Sequence, residues 1–470
     1  MTSLEHFKSG VALYRAGDLE ACIPEYQAAL RLNADFWKAH YNLGLAYYDL
    51  KHYEEAAAEY RETLRINPHH SEAHNNLGLV FADLGQREQA IEKYLDALEI
   101  SPFLFTANYN YGNILRQQGK AAEAIARYQI AVKQRPDSED VHLHLGLALV
   151  QLKDYETAIA EYRECLRLKP NDWNPYYNLG TAYRKQELWD EAIPEYRQCL
   201  TLNPELAEAH FYLGACLLKK KQWLEAETCC REATRLKPDY ADAYCNLGVA
   251  LTKQGRKKAG LAAYREAAKL DPTDSTARRN IAVRLTESGN TKEAEKEYHE
   301  VLTLNPNDTK AHYNLGNLLR KSRRYDEAID EYRAVLDIKP DHFAACLNLC
   351  AIYLRRNAWD WAAIYARRAV ALNPASAEAH SNLGRSLSAT KKLPEAVDEL
   401  HQAVYLNPKE AGYHAYLGMA LTRNHEFAPG ISESLHAIFL CPWKLGLWQP
   451  FGLNLIYAFG CWFFRLPKPS

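Results

Sequence analysis

The chain has 470 residues, of which 25% are charged, and its 57 Lys and Arg against 59 Asp and Glu leave a net charge of −2. That balance excludes the global basic excess that draws proteins to nucleic acid. A chain this long ordinarily divides into roughly two to four globular domains, unless it is built from a repeat.

A repeat is present. The first segment, Ser3 to Phe36, holds Gly10, Tyr14, Tyr26 and Ala29 in a register that becomes explicit in the next, Trp37 to His70, as Leu43-Gly44, Tyr47, Ala56, Tyr60 and Pro68. Sliding that segment forward puts a proline at 68, 102, 136, 170, 204, 238, 272, 306, 340, 374, 408 and 442, every step being 34 residues with no insertion or deletion. A period in this range marks a solenoid, whose units bury their apolar faces on their neighbours. The spacing predicts two helices per unit: Tyr41, Leu43, Ala46 and Tyr47 recur at helical period within Trp37 to Asp49, and Ala56, Ala57, Tyr60 and Leu64 within Tyr53 to Ile66. Glycine at the eighth position allows close helix approach, alanine at the twentieth does the same from the partner helix, and proline ends the second helix. Acids such as Glu54 and Glu55 suit the start of that second helix. Pro394 and Pro429 fall in a first turn, where a missing N–H costs little. Pro24 and Pro194 lie a turn deeper and predict a slight kink or a later helix start.

The unit resembles a tetratricopeptide repeat, whose signature W-x2-L-G-x2-Y, A-x3-F and P is met here by His40, Leu43-Gly44, Tyr47, Ala56-x3-Tyr60 and Pro68. It recurs as Leu77-Gly78 with Ala90 and Tyr94, as Leu145-Gly146 with Ala158 and Tyr162, and as Leu179-Gly180 with Ala192 and Tyr196. The resemblance implies an all-α fold, a right-handed α-solenoid of about 13 helical hairpins. Residues 1–36 read as a degenerate N-terminal capping repeat, 37–444 as the array and 445–470 as an apolar cap or attachment segment. Between Gly255 and Gly289 the pattern weakens, because Gln254 to Lys258, Gly260 and Ala282 depart from it; a local softening or a change of curvature is expected there.

Asparagine fills the sixth position as Asn42, Asn76, Asn110, Asn178, Asn246, Asn280, Asn314, Asn348 and Asn382. It is a mediocre helix former, so packing alone does not explain it. Positions two, six, nine and thirteen share one face of the first helix, and an amide offers one acceptor and two donors, enough to hold both polar groups of a peptide unit. Runs such as Ala39-His40-Tyr41-Asn42-Leu43-Gly44 resemble the superhelical domain of the O-linked N-acetylglucosamine transferases. That resemblance implies a concave asparagine ladder for an extended peptide, here without the glycosyltransferase domain. The alternative is that asparagine bonds locally between helices.

The thirteenth position runs Asp49, Asp83, Gln117, Gln151, Lys185, Lys219, Lys253, Glu287, Lys321, Arg355, Ala389 and Arg423, from acidic to mainly basic, with Arg116, Arg184 and Arg320 one place earlier. Cations at the end of a first helix complement its dipole. The sharper reading is a groove that prefers an acidic or carboxylate-bearing segment, centred on Lys185, Lys219, Lys253, Lys321 and Arg355. Lys38 with Asn42, and Lys310 with Asn314, resemble fragments of the carboxylate clamp of chaperone-binding relatives.

Histidine recurs at the fourth position, as in His40, His142 and His312, but the absence of paired ligand spacing assigns it to packing rather than metal. The cysteines occupy small-residue slots, as Cys165 and Cys199 do, and read as buried thiols. With no secretory signal in Met1 to Arg15, a reducing cytoplasm is expected. No phosphate loop or nucleophile–base constellation stands out, so no enzyme activity and no cofactor are expected. From 445 to 464 the chain carries no charge, the length of a membrane span, though Pro450 and three glycines interrupt it. These features predict a non-enzymatic scaffold that binds a protein or peptide. The alternatives are a targeting subunit for a separate glycosyltransferase and an assembly factor attached to a membrane through its tail.

Overall fold

A computed structural model describes residues 1–441; the 445–464 segment, and with it the choice between cap and membrane attachment, lies outside the described residues. Among the described residues there are 26 α-helices and no strand, and within each of the two units below the helices pack pairwise as hairpins. First helices have 13 residues and second helices 14, as in Trp37–Asp49 and Tyr53–Ile66. The chain divides into two compact units, Met1–Gln254 and Gly255 onward, and the same hairpin recurs within each.

The packing seam of a hairpin is the glycine at position eight against the tyrosine at position 24. A Cβ on Gly44 would lie 2.8 Å from the Tyr60 ring, and one on Gly316 would lie 2.9 Å from Tyr332, so the absent side chain is what admits a fully buried ring. The drifted units conserve this volume. Cys350 at position eight is matched by Ala366 at position 24, both with no exposure, while Gly384 faces Leu400. Ala282 and Tyr298 are likewise buried, and so is Gly260.

The turn between the two helices has its own requirement. Position 15 lies in the left-handed region in every hairpin: Gly17, Gly85, Gly119, Gly255 and Gly289 at five of them, and Lys51, Lys153, Glu187, Lys221, Arg323, Asn357, Lys391 and His425 at the other eight. Gly255 meets that requirement without a Cβ, which at positive φ costs about 1 kcal/mol, and the division into two compact units falls between Gln254 and Gly255, at the start of the stretch where the repeat pattern weakens. The helices containing Pro24 and Pro194 begin at Leu19 and Trp189, in register with the rest, so of the two accommodations expected the later start does not occur. Pro394 does stand in the first turn of its helix.

Histidine at position four links three elements. In His142 the Nδ1 atom is 2.5 Å from the Glu161 carboxylate on the second helix of its own hairpin, and Nε2 is 3.0 Å from the Pro136 carbonyl of the preceding one. His40 with Glu59 and Ala34, His312 with Glu331 and Pro306, His380 with Glu399 and Pro374, and His414 with Glu433 and Pro408 repeat the arrangement. A carbonyl and a carboxylate only accept, so in His40, His142 and His312 both ring nitrogens donate and the ring is an imidazolium. The Glu161 and Glu331 hydrogen bonds accordingly raise the pKa of His142 and His312 above the ordinary histidine value, against burial. Burial opposes the same rise at His40, where the Glu59 and Ala34 bonds prevail. Arg278 substitutes at the same position, reaching both Glu297 and the Pro272 carbonyl at 3.3 Å. The packing role read from the sequence is thus an ion-paired staple between hairpins.

The cysteines named above are buried, and burial pushes the thiols of Cys165 and Cys199 up to about 12. Among the described residues no helix is long and apolar enough to cross a membrane, and no group of histidine, cysteine and carboxylate side chains could hold a metal ion.

Candidate peptide-binding face

The first helices bring positions two, six, nine and thirteen to one surface, as cavities along the second unit show. One of about 350 Å³ is lined by Asn280, Val283, Lys310 and Asn314 together with Arg279, Tyr313 and His342. The next, of about 600 Å³, is lined by Lys321, Ala351, Arg355, Glu378, Asn382 and Arg385, with Arg320, Arg323 and Tyr325 at its edge. A third, of about 390 Å³, takes Arg385, Ala389, Tyr416, Met419 and Arg423.

The nine asparagines differ in what they have left to offer. Asn76 donates to the Tyr41 hydroxyl (3.2 Å), Asn348 to the Tyr313 hydroxyl (3.4 Å) and to Asn317 Oδ1 (3.2 Å), and Asn110 to Asn75 Oδ1 (3.2 Å). Each of these bonds reaches back one repeat, so the sixth position ties neighbours together. Asn42 and Asn178 donate to the carbonyls of Lys38 and Asn174 one turn earlier in their own helices. Asn382 is buried, with its oxygen 3.4 Å from Arg385. Asn246 and Asn314 make no side-chain hydrogen bond within the described residues and are half-exposed; Asn314 opens onto a cavity that Asn280 also lines. The local bonding weighed as an alternative thus coexists with free amides, and which of the two prevails varies from one asparagine to the next.

The thirteenth position divides likewise. Asp49 and Asp83 accept from the Tyr14 and Tyr48 hydroxyls of the preceding repeat at 2.5 and 2.6 Å, so the acidic end is engaged in structure. Lys185, Lys219, Lys253, Lys321 and Arg355 are exposed and ion-paired to no carboxylate in the described residues. Lys219 lies over the Trp189 ring and Arg355 over Tyr325, each at 5.8 Å. Other surface cations are spent on neighbouring carboxylates, among them Arg356 with Asp326, Arg367 with Glu395 and Arg167 with Glu164, while Lys51, Lys153 and Lys391 are exposed and unpaired within the described residues.

The arginines at position 12 are half-buried. The Nε atoms of Arg116, Arg184 and Arg320 are shielded and unpartnered, and Arg184 stacks on the Tyr212 ring at 4.3 Å. Burial pushes the hydroxyls of Tyr128 and Tyr332 up to about 12, with Arg116 and Arg320 pulling the other way. Arg385 was not among the candidates read from the sequence. It occupies position nine of the predicted stripe, and tabulating that position alongside the sixth and thirteenth is the signal that finds it.

Family models agree with this architecture. Tetratricopeptide repeat models match residues 7–70, 52–104, 352–425 and 309–342, and the C-terminal domain of cilia and flagella-associated protein 70, itself a tetratricopeptide repeat model, matches 101–313. The chain belongs to the tetratricopeptide repeat family, a class of protein–protein interaction scaffolds. No curated protein sequence matches it. Among solved structures it is similar to MamA from Desulfovibrio magneticus RS-1, at 24% identity over 36% of this chain and 96% of that one, with a TM-score of 0.35. It is similar to YrrB, described as a repeat protein with an unusual peptide-binding site, at 24% identity over 39% of this chain and 95% of that one, with a TM-score of 0.34. Cut9–Hcn1 of the APC/C covers 95% of both chains at 12% identity and a TM-score of 0.38.

Proposed function

We propose that the protein is a scaffold that holds an extended, acidic protein segment along the face made by its first helices. The observation that carries this reading is that Lys185, Lys219 and Lys253 in the first unit, and Lys321 and Arg355 in the second, are exposed at the same position of the first helix and ion-paired to no carboxylate within the described residues. An extended segment turns alternate side chains toward one surface, where such cations can meet them. Its backbone groups fall to unengaged amides such as Asn246 and Asn314, with Asn280 lining the same cavity as Asn314. Binding of a pool of short unstructured Glu- and Asp-rich peptides to the full chain, followed by fluorescence anisotropy, tests the reading. Replacing Lys185, Lys219 and Lys253, or Lys321 and Arg355, with glutamate should weaken the acidic pool at least about tenfold, about 1.4 kcal/mol. Unchanged affinity in both variants would remove it. Asn314→Ala should weaken binding, while Asn42→Ala, whose amide is bonded inside its own helix, should not.

A further inference from the structure

The cavity of about 600 Å³ between Lys321 and Arg385 differs from the rest of that face in its density of one charge. Arg320, Lys321, Arg323, Arg355 and Arg385 line it together with one carboxylate, Glu378, and none of the six is ion-paired within the described residues. Two of the guanidinium groups lie over aromatic rings, Arg355 over Tyr325 at 5.8 Å and Arg385 over Tyr416 at 4.3 Å. A ring face supports the cation without neutralising its charge, which stays available to an anionic ligand. Arg320 adds a shielded Nε without a partner, a donor whose burial costs free energy until something accepts from it.

A run of carboxylates meets such a cluster poorly. Along an extended chain, side chains facing one way are spaced about 6.6 Å apart, two residues of roughly 3.3 Å each, and every carboxylate brings a single charge and two oxygens. A phosphorylated side chain brings a charge of about −1.5 to −2 and three acceptor oxygens to one point. Arginine-rich clusters hold that group by charge-assisted, forked hydrogen bonds. Asn314, in the cavity one repeat earlier, continues the surface as a polar group for the backbone to one side of the phosphate. That favours a peptide over a lipid headgroup.

We propose that this cavity is a phosphate-recognition site for a segment carrying phosphoserine or phosphothreonine. The proposal rests on the peptide-binding reading above and names the chemistry of its strongest point. The full chain is titrated with three pools of labelled short peptides, degenerate except for a fixed central phosphoserine, glutamate or serine, and with vesicles containing phosphorylated inositol lipids. The phosphoserine pool should bind at least about tenfold tighter than the glutamate pool, and inorganic phosphate should compete with it. Arg355→Gln and Arg323→Gln, both at exposed positions, should each reduce the preference toward unity with unchanged melting, whereas Lys185→Gln in the first unit should leave it intact. Equal binding of the phosphoserine and glutamate pools would overturn the phosphate site while leaving the peptide reading in place. Binding of no pool would overturn both, and binding of the vesicles in place of the phosphoserine pool would replace the peptide with a membrane.

Discussion

The two units place different chemistry at the same position of the same helix. In Met1–Gln254 the thirteenth residue begins as Asp49 and Asp83, each closed by a tyrosine hydroxyl from the repeat before it. From Lys185 onward it is mainly cationic, and in the unit that begins at Gly255, where Glu287 is paired with Lys257 and Arg284, Lys321 and Arg355 are exposed and without an ion partner among the described residues. A repeat position is therefore a place, not a role. Whether a side chain there stabilises the stack or waits for a ligand depends on what the adjacent repeat sets within reach, here Tyr14 and Tyr48 on one side and no carboxylate on the other.

The largest effect that would sharpen this comparison lies in the glycine–tyrosine seam that recurs inside the hairpins of both units. Gly146→Val places a Cβ about 2.5 Å from the Tyr162 ring and should cost about 3 kcal/mol by overpacking. It should be read as lowered urea resistance and faster amide exchange in the hairpin Glu139–Leu168. Gly146→Ala should cost less, since Ala282 already coexists with Tyr298.

Next come the staples. His142→Ala removes two hydrogen bonds and leaves Glu161 without its cation, for a loss of about 2 kcal/mol. The pH dependence follows from the raised folded-state values of His142 and His312. A group whose pKa is higher folded than unfolded contributes in full below its unfolded value, about 6.5, and loses that contribution as pH rises through the folded value. Thermal melts should therefore show the wild type losing stability as pH climbs above about 6.5, with a shallower slope when His142 and His312 are both replaced by glutamine. An identical slope would remove the imidazolium assignment.

Smaller effects separate engaged from waiting groups. Lys153→Gly should stabilise its hairpin by about 1 kcal/mol by removing a left-handed Cβ, where Gly85 and Gly119 already serve. Asp83→Ala should destabilise by about 1 kcal/mol through the loss of the Tyr48 bond. Lys321→Ala should change stability by less than about 0.5 kcal/mol while weakening acidic peptides. A stability loss at Lys321 equal to that at Asp83 would break the distinction between the two ends of the stripe.

Local pattern was enough for the helices and the seam. Pro68 and its successors, Leu43-Gly44, Ala56 and Tyr60 mark helix ends and close approaches, and the structure begins and ends its helices where they indicate. The left-handed turn was hidden because Lys51 or Glu187 reads as an ordinary surface residue; its dihedral angle is imposed by closing two helices of fixed length through a short link. The His142–Glu161 pair is 19 residues apart, on two helices, and one sequence shows its partnership only when position 23 is tabulated beside position four. The asparagines looked equivalent because period alone treats them so.

The sequence by itself determined the register, the hairpin and the family, because 34-residue periodicity of small, aromatic and proline positions admits one way of burying each apolar face. Only the tertiary structure decided which polar groups remain unspent. Asn42, Asn76 and Asp83 are consumed by their own helix or by the repeat before, whereas Asn314, Lys321 and Arg355 are not. The reason is that a hydrogen bond or ion pair is settled by distances between helices, and those depend on the side chains each neighbouring repeat brings.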